Sequence, residues 1–209
     1  MKTLARSTFS FNRPATKIVF KNLIKLGIAG TLIGFFFPFD LGVAVLLASY
    51  LVYTLIKKWR RGAKDRKIYL IGAVTTGILG VICELWGIHN GYWEYHQLAG
   101  GREFPFWLPF AWALAFTYLY KLEKGIITTT GVDNMTSKMI LAPIIAMIFP
   151  TLGEMITINL GVWTYQWPLQ IMGVPLLAII LLTVFHTGVN LIMTWICQRN
   201  NWKNPVFNP

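Results

Sequence analysis

The chain has 209 residues, of which 55% are hydrophobic, and its formal net charge is +11 at pH 7. A mean hydropathy of +0.54 excludes an ordinary soluble globular domain. The cations are scattered over several connections rather than gathered on one folded basic domain, so we expect no nucleic-acid partner.

Six apolar stretches predict membrane-spanning helices. They are nearly uncharged, and most approach the ~20 residues that cross a bilayer: residues 22–37, 41–56, 68–88, 104–120, 139–160 and 172–196. The runs are continuous rather than alternating, which favours an all-α integral membrane protein over a β-barrel. Residues 1–209 are therefore predicted to form a single transmembrane domain of three helical hairpins in the lipid bilayer.

The positions of the cations predict the orientation in the membrane. Apart from Arg102, every lysine and arginine falls at or before the start of the first span, after the sixth, or near the connections between spans two and three and between spans four and five. Such asymmetry places both termini in the cytoplasm and the loops 89–103 and 161–171 outside. We expect a bacterial inner membrane, with an organelle membrane as the alternative.

The start of the chain allows two interpretations. Residues 1–21 are predicted to be a basic cytoplasmic tail that orients the first span. Because residues 1–26 contain no acidic side chain, a transit peptide is the alternative.

A motif occurs twice in the chain with a constant offset. Its first copy is Glu84, Gly91, Trp93, Tyr95 and Pro105, and its second copy is Glu154, Gly161, Trp163, Tyr165 and Pro175. Five identities without a gap indicate an internal duplication, with copy one at 68–121 and copy two at 139–196. Each copy is a two-span hairpin, so both enter the membrane in the same direction, unlike the inverted repeats of many transporters.

The two glutamates are the candidate catalytic residues. Small residues precede each of them at helical spacing, for example Gly77 and Gly80 before Glu84, and Ala146 before Glu154. Such stripes face other helices, so both carboxyl groups are expected to point into the bundle. A buried ionisable side chain in a membrane indicates function, and burial favours the neutral form of a carboxyl. The alternative is a structural glutamate that is hydrogen-bonded to a tyrosine or tryptophan of its own loop.

Aromatic residues near the same ends of the spans are predicted to line a substrate pocket: Trp93, Tyr95, Trp112, Trp163 and Tyr165. Their alternate spacing after a glycine predicts extended segments that fold over the acids. Trp107 and Trp167 are instead expected in the interfacial aromatic belt. An acid among aromatic rings can protonate an alkene, and the ring faces can stabilise the resulting cation.

A polar stripe in the sixth span includes His186 and Asn190, one helical turn apart. It predicts either hydrogen bonds between helices or a substrate contact or proton path. The segment 125–138 is expected to be a flexible connector. The chain has no histidine-box or zinc-site spacing and no glycine-rich phosphate loop, so we expect no metal and no cofactor.

The segment from Glu84 to Tyr95, with Phe104 to Trp112 after it, resembles membrane carotenoid-biosynthesis proteins of the carotenoid hydratase type. The shared pattern is a glutamate, a glycine-containing aromatic stretch and a proline-containing helix start that ends in Ala-Trp. The design is also similar to small membrane-bound terpene and lycopene cyclases, which use intramembrane acids on isoprenoids. The resemblance covers about residues 80–113, and residues 150–178 show it more weakly. It implies an apolar isoprenoid-like substrate, with Glu84 as the proton donor and Glu154 as its partner.

Three functions are compatible with these patterns. The first is an isoprenoid-processing enzyme, a cyclase or hydratase. The second is a proton-coupled transporter of a small molecule or lipid, and the third is a noncatalytic membrane subunit. An enclosed apolar cavity reaching both glutamates would favour the first, and a water-filled path across the bilayer would favour the second.

Overall fold

The computed structural model describes residues 13–208, so most of the predicted N-terminal tail lies outside the described part. Six long helices make up most of it: α1 Arg13–Phe36, α2 Asp40–Arg60, α3 Arg66–His89, α4 Leu108–Thr130, α5 Met135–Asn159 and α6 Leu176–Arg199. A short 3₁₀ turn, Phe37–Phe39, joins α1 to α2, and another lies at Ala99–Gly101. Four two- or three-residue strands complete the fold: β1 Trp93–Tyr95, β2 Trp163–Tyr165, β3 Gln170–Ile171 and β4 Val174–Pro175.

Four stretches of the described chain are long and apolar enough to cross a membrane. They are Arg13–Arg60, which contains both α1 and α2, and the helices Arg66–His89, Met135–Asn159 and Leu176–Arg199. The helices carry exposed apolar side chains such as Ile78 and Val184, as expected for surfaces in contact with lipid. The chain is therefore a membrane protein by length and composition. The fourth predicted span falls on α4, whose second half carries Lys121, Glu123 and Lys124, and a count of six spans stays a prediction.

The helices pack as antiparallel neighbours, α3 against α4 and α5 against α6, while α1 lies against α4 and α5 and α2 lies against α3 and α4. At one end of the bundle Asp40 forms an ion pair with Arg102 and accepts a hydrogen bond from the backbone N–H of Phe106. Asp65 binds Lys58 and Lys124 at the other end. We name these the Arg102 end and the Asp65 end.

The predicted connector at 125–138 is wrong, because α4 continues to Thr130 and α5 begins at Met135. The threonines that suggested a loop are helical: the Thr128 and Thr130 hydroxyls donate to carbonyl oxygens one turn back. Gly131, with φ +70°, ends α4, and the Asn134 side chain caps α5 by accepting from the Ser137 N–H. The true connection is residues 131–134.

The main core lies towards the Asp65 end. Phe116 and Tyr120 of α4 stack there with Phe207 of the C-terminal segment, and Met193 of α6 is fully buried beside them. The C-terminal segment is fixed by the Asn204 amide, which donates to the Tyr120 hydroxyl at 2.6 Å. This packing leaves the Arg102 end, where the short strands lie, as the less regular part of the molecule.

Asp65 joins three helices at its end of the bundle. Its carboxylate accepts from Lys124 Nζ at 2.6 Å and from Lys58 Nζ at 3.2 Å. Burial acts to raise the pKa of Asp65, but the hydrogen bonds and positive charges of Lys124 and Lys58 outweigh it and hold that pKa below its usual value. The ion pairs therefore anchor the α2–α3 turn to α4.

Candidate functional site

The helices that carry the two glutamates end in the same way. Gly91 (φ +67°) follows α3 and Gly161 (φ +80°) follows α5, in the left-handed conformation that glycine adopts without strain. Each glycine N–H donates to a carbonyl three residues back, and the next residue's N–H donates to a carbonyl five residues back. This is the Schellman pattern, and it turns each chain sharply back across the end of its helix.

The chains leaving these turns pair with each other as the antiparallel strands β1 and β2. Trp93 lies opposite Tyr165, Glu94 opposite Thr164, and Tyr95 opposite Trp163. Two flanking hydrogen bonds extend the pairing, from the His96 N–H to the Val162 carbonyl and from the Gln166 N–H to the Tyr92 carbonyl. The extended segments predicted from the sequence are therefore present, and each motif faces its counterpart. The His96 ring further links the strands through the Gly161 carbonyl and the Thr164 hydroxyl.

Glycines on α3 leave room for the indoles that reach Glu84. A methyl group at Gly87 would overlap the ring of Trp93, and one at Gly80 would overlap the ring of Trp112. The predicted small-residue face of α3 is therefore packed against side chains of β1 and α4 rather than against lipid.

Glu84 is bound by three aromatic donors. Trp93 Nε1 donates to Oε2 at 2.8 Å, the Tyr95 hydroxyl to the same oxygen at 3.1 Å, and Trp112 Nε1 to Oε1 at 3.1 Å. An indole N–H can only donate, so two of the three partners require Glu84 to accept. Each oxygen of the Glu84 carboxyl group therefore accepts a hydrogen bond from an indole that the fold holds in place.

Glu154 has a simpler environment. Within residues 13–208 its carboxyl is hydrogen-bonded by one side chain, the Tyr165 hydroxyl, which lies 3.2 Å from Oε1 and 3.1 Å from Oε2. A hydroxyl group can both donate and accept, so this contact is compatible with either protonation state of Glu154.

The aromatic residues of the two motifs join the two acids into one site. The Trp93 and Tyr165 rings are 5.5 Å apart between centroids, and the Tyr95 and Trp163 rings are 5.6 Å apart. Burial, together with the neighbouring glutamates, raises the pKa of both tyrosine hydroxyls well above the ordinary value. Both tyrosines are therefore neutral near pH 7. Five of the predicted pocket residues, Trp93, Tyr95, Trp112, Trp163 and Tyr165, thus lie together around Glu84 and Glu154.

Two tryptophans that were predicted to lie in an interfacial belt pack against other aromatic and apolar side chains of the molecule. Trp107 is only 3% exposed and packs in a cluster with Phe37, Val43 and Val162. Trp167 lies against Trp93, with centroids 5.7 Å apart, and stacks on Tyr165 at 6.1 Å. Since Trp167 contacts two residues of the paired motifs, it belongs to the same aromatic cluster.

His186 and Asn190 are separate from this site. His186 Nε2 lies 2.6 Å from Glu123 Oε1, and the Asn190 amide donates to both Glu123 oxygens at 3.2 Å. The predicted hydrogen bonds between helices are therefore present, but their partner is Glu123 of α4, which the sequence analysis did not single out. Glu123 is 1% exposed.

A small cavity lies beside Glu123. Its walls include Thr187, Asn190 and Lys138 among apolar side chains, and it has about 30 Å³ of space open to water, enough for roughly two molecules. The buried Asn190 Oδ1 has no protein partner. The molecule thus has a second polar centre, nearer the Asp65 end.

No group of three or more histidine, cysteine, aspartate or glutamate side chains suited to a metal ion occurs in the described part of the chain. Cys83 is exposed and Cys197 is buried, and neither is in a disulfide. Comparison of the chain with protein-family models, curated proteins and solved structures gave no significant match.

Proposed function

We propose that the protein is a membrane enzyme that acts on an apolar isoprenoid-like substrate by acid catalysis, as a cyclase or hydratase. The observation that carries this proposal is the pair of glutamates held in one aromatic cluster by Trp93, Tyr95, Trp112 and Tyr165. A neutral carboxyl supplies the proton, a carboxylate stabilises positive charge, and aromatic faces do the same without reacting.

The reaction begins with proton transfer from a glutamic acid to a carbon–carbon double bond. The acid O–H bond breaks, a C–H bond forms, and the substrate becomes a carbocation beside a new carboxylate. A cyclase closes a ring by attack of a second double bond and then loses a proton from a neighbouring carbon to the carboxylate. A hydratase adds water and returns the water's proton. Either route restores the acid and needs no metal or redox cofactor.

The proposal includes a topology. Six spans in a cytoplasm-in orientation place the glutamate site near the outer surface and Asp65 near the inner surface. The matching helix ends at Gly91 and Gly161, and the pairing of each motif with its counterpart, support a duplication of the hairpins α3–α4 and α5–α6 in parallel orientation.

A lipid extract tests the enzymatic function. We expect an isoprenoid-producing host that expresses the protein to accumulate a cyclised or hydrated product that is absent when it expresses Glu84→Gln/Glu154→Gln. The matched control is Glu103→Gln, an exposed glutamate outside the site. If the host makes a full set of acyclic precursors and its isoprenoid profile is the same with the wild type as with the double variant, the proposal is refuted.

A proton-coupled transporter is the second candidate, and the Glu123 centre favours it. It adds a buried acid and a water-sized cavity in the other half of the bundle, so ionisable groups occur towards both ends. Proton uptake into vesicles that depends on an added isoprenoid, without chemical conversion of that isoprenoid, would establish transport in place of catalysis.

A further inference from the structure

The two copies of the motif differ in how many donors each glutamate receives. Glu84 accepts from two indoles and one hydroxyl, whereas Glu154 is bound only by the Tyr165 hydroxyl among the described residues. The difference arises at two positions. Trp163, the counterpart of Trp93, packs on Tyr95 and makes no hydrogen bond with Glu154, and Leu182 occupies the position that corresponds to Trp112.

Donor count determines which acid is more easily ionised. Three donors stabilise a carboxylate, because each would lose part of its interaction if the group became neutral. A single hydroxyl does not discriminate, since it donates to a carboxylate and accepts from a carboxylic acid. A fixed negative charge on one member of a close pair also favours the neutral form of the other.

The remaining groups around the pair do not reverse this order. Tyr95 from β1 and Tyr165 from β2 are neutral, Trp93 and Trp112 carry no charge, and Cys83 precedes Glu84 on α3 as a thiol. Arg102 is the one lysine or arginine in the loops 89–103 and 161–171, and it is paired with Asp40.

We propose that the two glutamates hold one proton between them, that it resides on Glu154, and that Glu154 rather than Glu84 is the proton donor. Glu84 is then the ionised partner that stabilises the cation, and the proton that the product or the added water releases returns to the Glu154 carboxylate, which restores the starting state. This assignment rests on the proposed acid-catalysed function and reverses the roles that the sequence resemblance implies.

The assignment also gives the substrate an orientation. Proton delivery begins beside Tyr165 and Glu154, and positive charge then develops towards the Trp93 ring and Glu84. The double bond to be protonated is therefore bound on the α5–β2 side of the site. A substrate with one terminal alkene is expected to place that end against Tyr165.

Infrared difference spectroscopy tests the protonation state without any substrate. We use purified protein in phospholipid vesicles at pH 7 and subtract the spectrum of each variant from that of the wild type. Glu154→Gln is expected to remove one carbonyl stretch of a protonated carboxyl group, and Glu84→Gln and the exposed control Glu103→Gln are expected to leave it in place. Glu154→Asp keeps a carboxyl and is expected to shift the band rather than remove it, which covers the case in which Glu154→Gln does not fold.

The outcomes separate this inference from the proposed function. Loss of the band in Glu84→Gln with retention in Glu154→Gln would reverse the assignment, and a wild type whose band neither Glu154→Gln nor Glu154→Asp alters would overturn it. Either result would count against the assignment whether or not the protein converts an isoprenoid. Conversely, the expected spectra in a protein that converts no isoprenoid would leave the assignment standing and refute only the proposed enzyme.

Discussion

Glu84 has two indole donors and one hydroxyl donor in a site that the backbone shapes around it. Trp112 is the only one of the three that comes from a long helix other than α3, so it fixes the carboxylate relative to α4. Phenylalanine at this position keeps an aromatic ring, although a smaller one, and removes one charge-assisted hydrogen bond.

We therefore expect Trp112→Phe to reduce the free energy of unfolding by roughly 1.5–3 kcal/mol, the usual loss for a hydrogen bond to a charged group. Turnover is expected to fall as well, because the carboxylate is less well positioned. The control is Trp195→Phe, since Trp195 is an exposed tryptophan of α6. Denaturant titration in mixed micelles measures the free energy of unfolding of the two variants. Equal losses of unfolding free energy in Trp112→Phe and Trp195→Phe would contradict this role for Trp112.

The Glu123–His186 pair allows a double-mutant test. His186→Phe leaves a buried carboxyl with only Asn190 as a partner, so we expect a loss of about 3–5 kcal/mol in unfolding free energy. Glu123→Leu/His186→Phe removes both polar groups and is expected to recover most of that loss. If the double variant is no more stable than His186→Phe alone, the unpaired Glu123 carboxyl group is not the cause of the lost unfolding free energy.

At the residue scale, contacts between residues of the same motif could be expected from the sequence. Tyr95 and Tyr165 lie 11 positions after the glutamates they bind, inside the same motif. Glu123 was missed because it stands between Lys121 and Lys124, which suggests a charged loop border. Its partner His186 is 63 positions away, so only the packing of α4 on α6 reveals it.

At the scale of elements, close approach between α3 and β1 depends on a glycine. Gly87→Ala is expected to displace the Trp93 indole and break its hydrogen bond with Glu84. Overpacking of this kind costs about 1–3 kcal/mol, so both unfolding free energy and turnover should decrease. Gly188→Ala is the control, since open space surrounds that position in α6 and the change should be neutral or slightly stabilising. The same loss in both variants would show that displacement of the indole is not the cause.

The element boundaries show what local patterns can and cannot predict. The predicted spans 68–88 and 139–160 end within one residue of α3 and α5, and a left-handed glycine follows each helix end. The end of α4 was placed too early because a run of threonines is common in loops, while here two of their hydroxyls bond to their own helix. The mutual pairing of β1 with β2 could not be predicted, since it depends on how two hairpins meet.

At the scale of the whole molecule, the positions of the cations predict that the Arg102 end of the bundle faces the outside of the cell and the Asp65 end faces the cytoplasm. Gln97 lies in the loop near Arg102 and Lys64 lies near Asp65, and both are exposed. In a variant with Cys83 and Cys197 replaced by alanine, we expect Gln97→Cys to react with a membrane-impermeant thiol reagent in intact cells. Lys64→Cys is expected to react only after permeabilisation. The opposite labelling pattern would invert the orientation, and labelling of both sites in intact cells would contradict an alternating bundle.

The central claim is that the glutamate pair transfers a proton to carbon. The direct measurement is deuterium incorporation from heavy water by purified protein in vesicles supplied with acyclic isoprenoids. We expect a product that carries one deuterium on carbon, formed by the wild type and by Glu103→Gln but not by Glu154→Gln. A product that carries no deuterium, or one that Glu84→Gln/Glu154→Gln forms at the wild-type rate, would contradict acid catalysis by these residues.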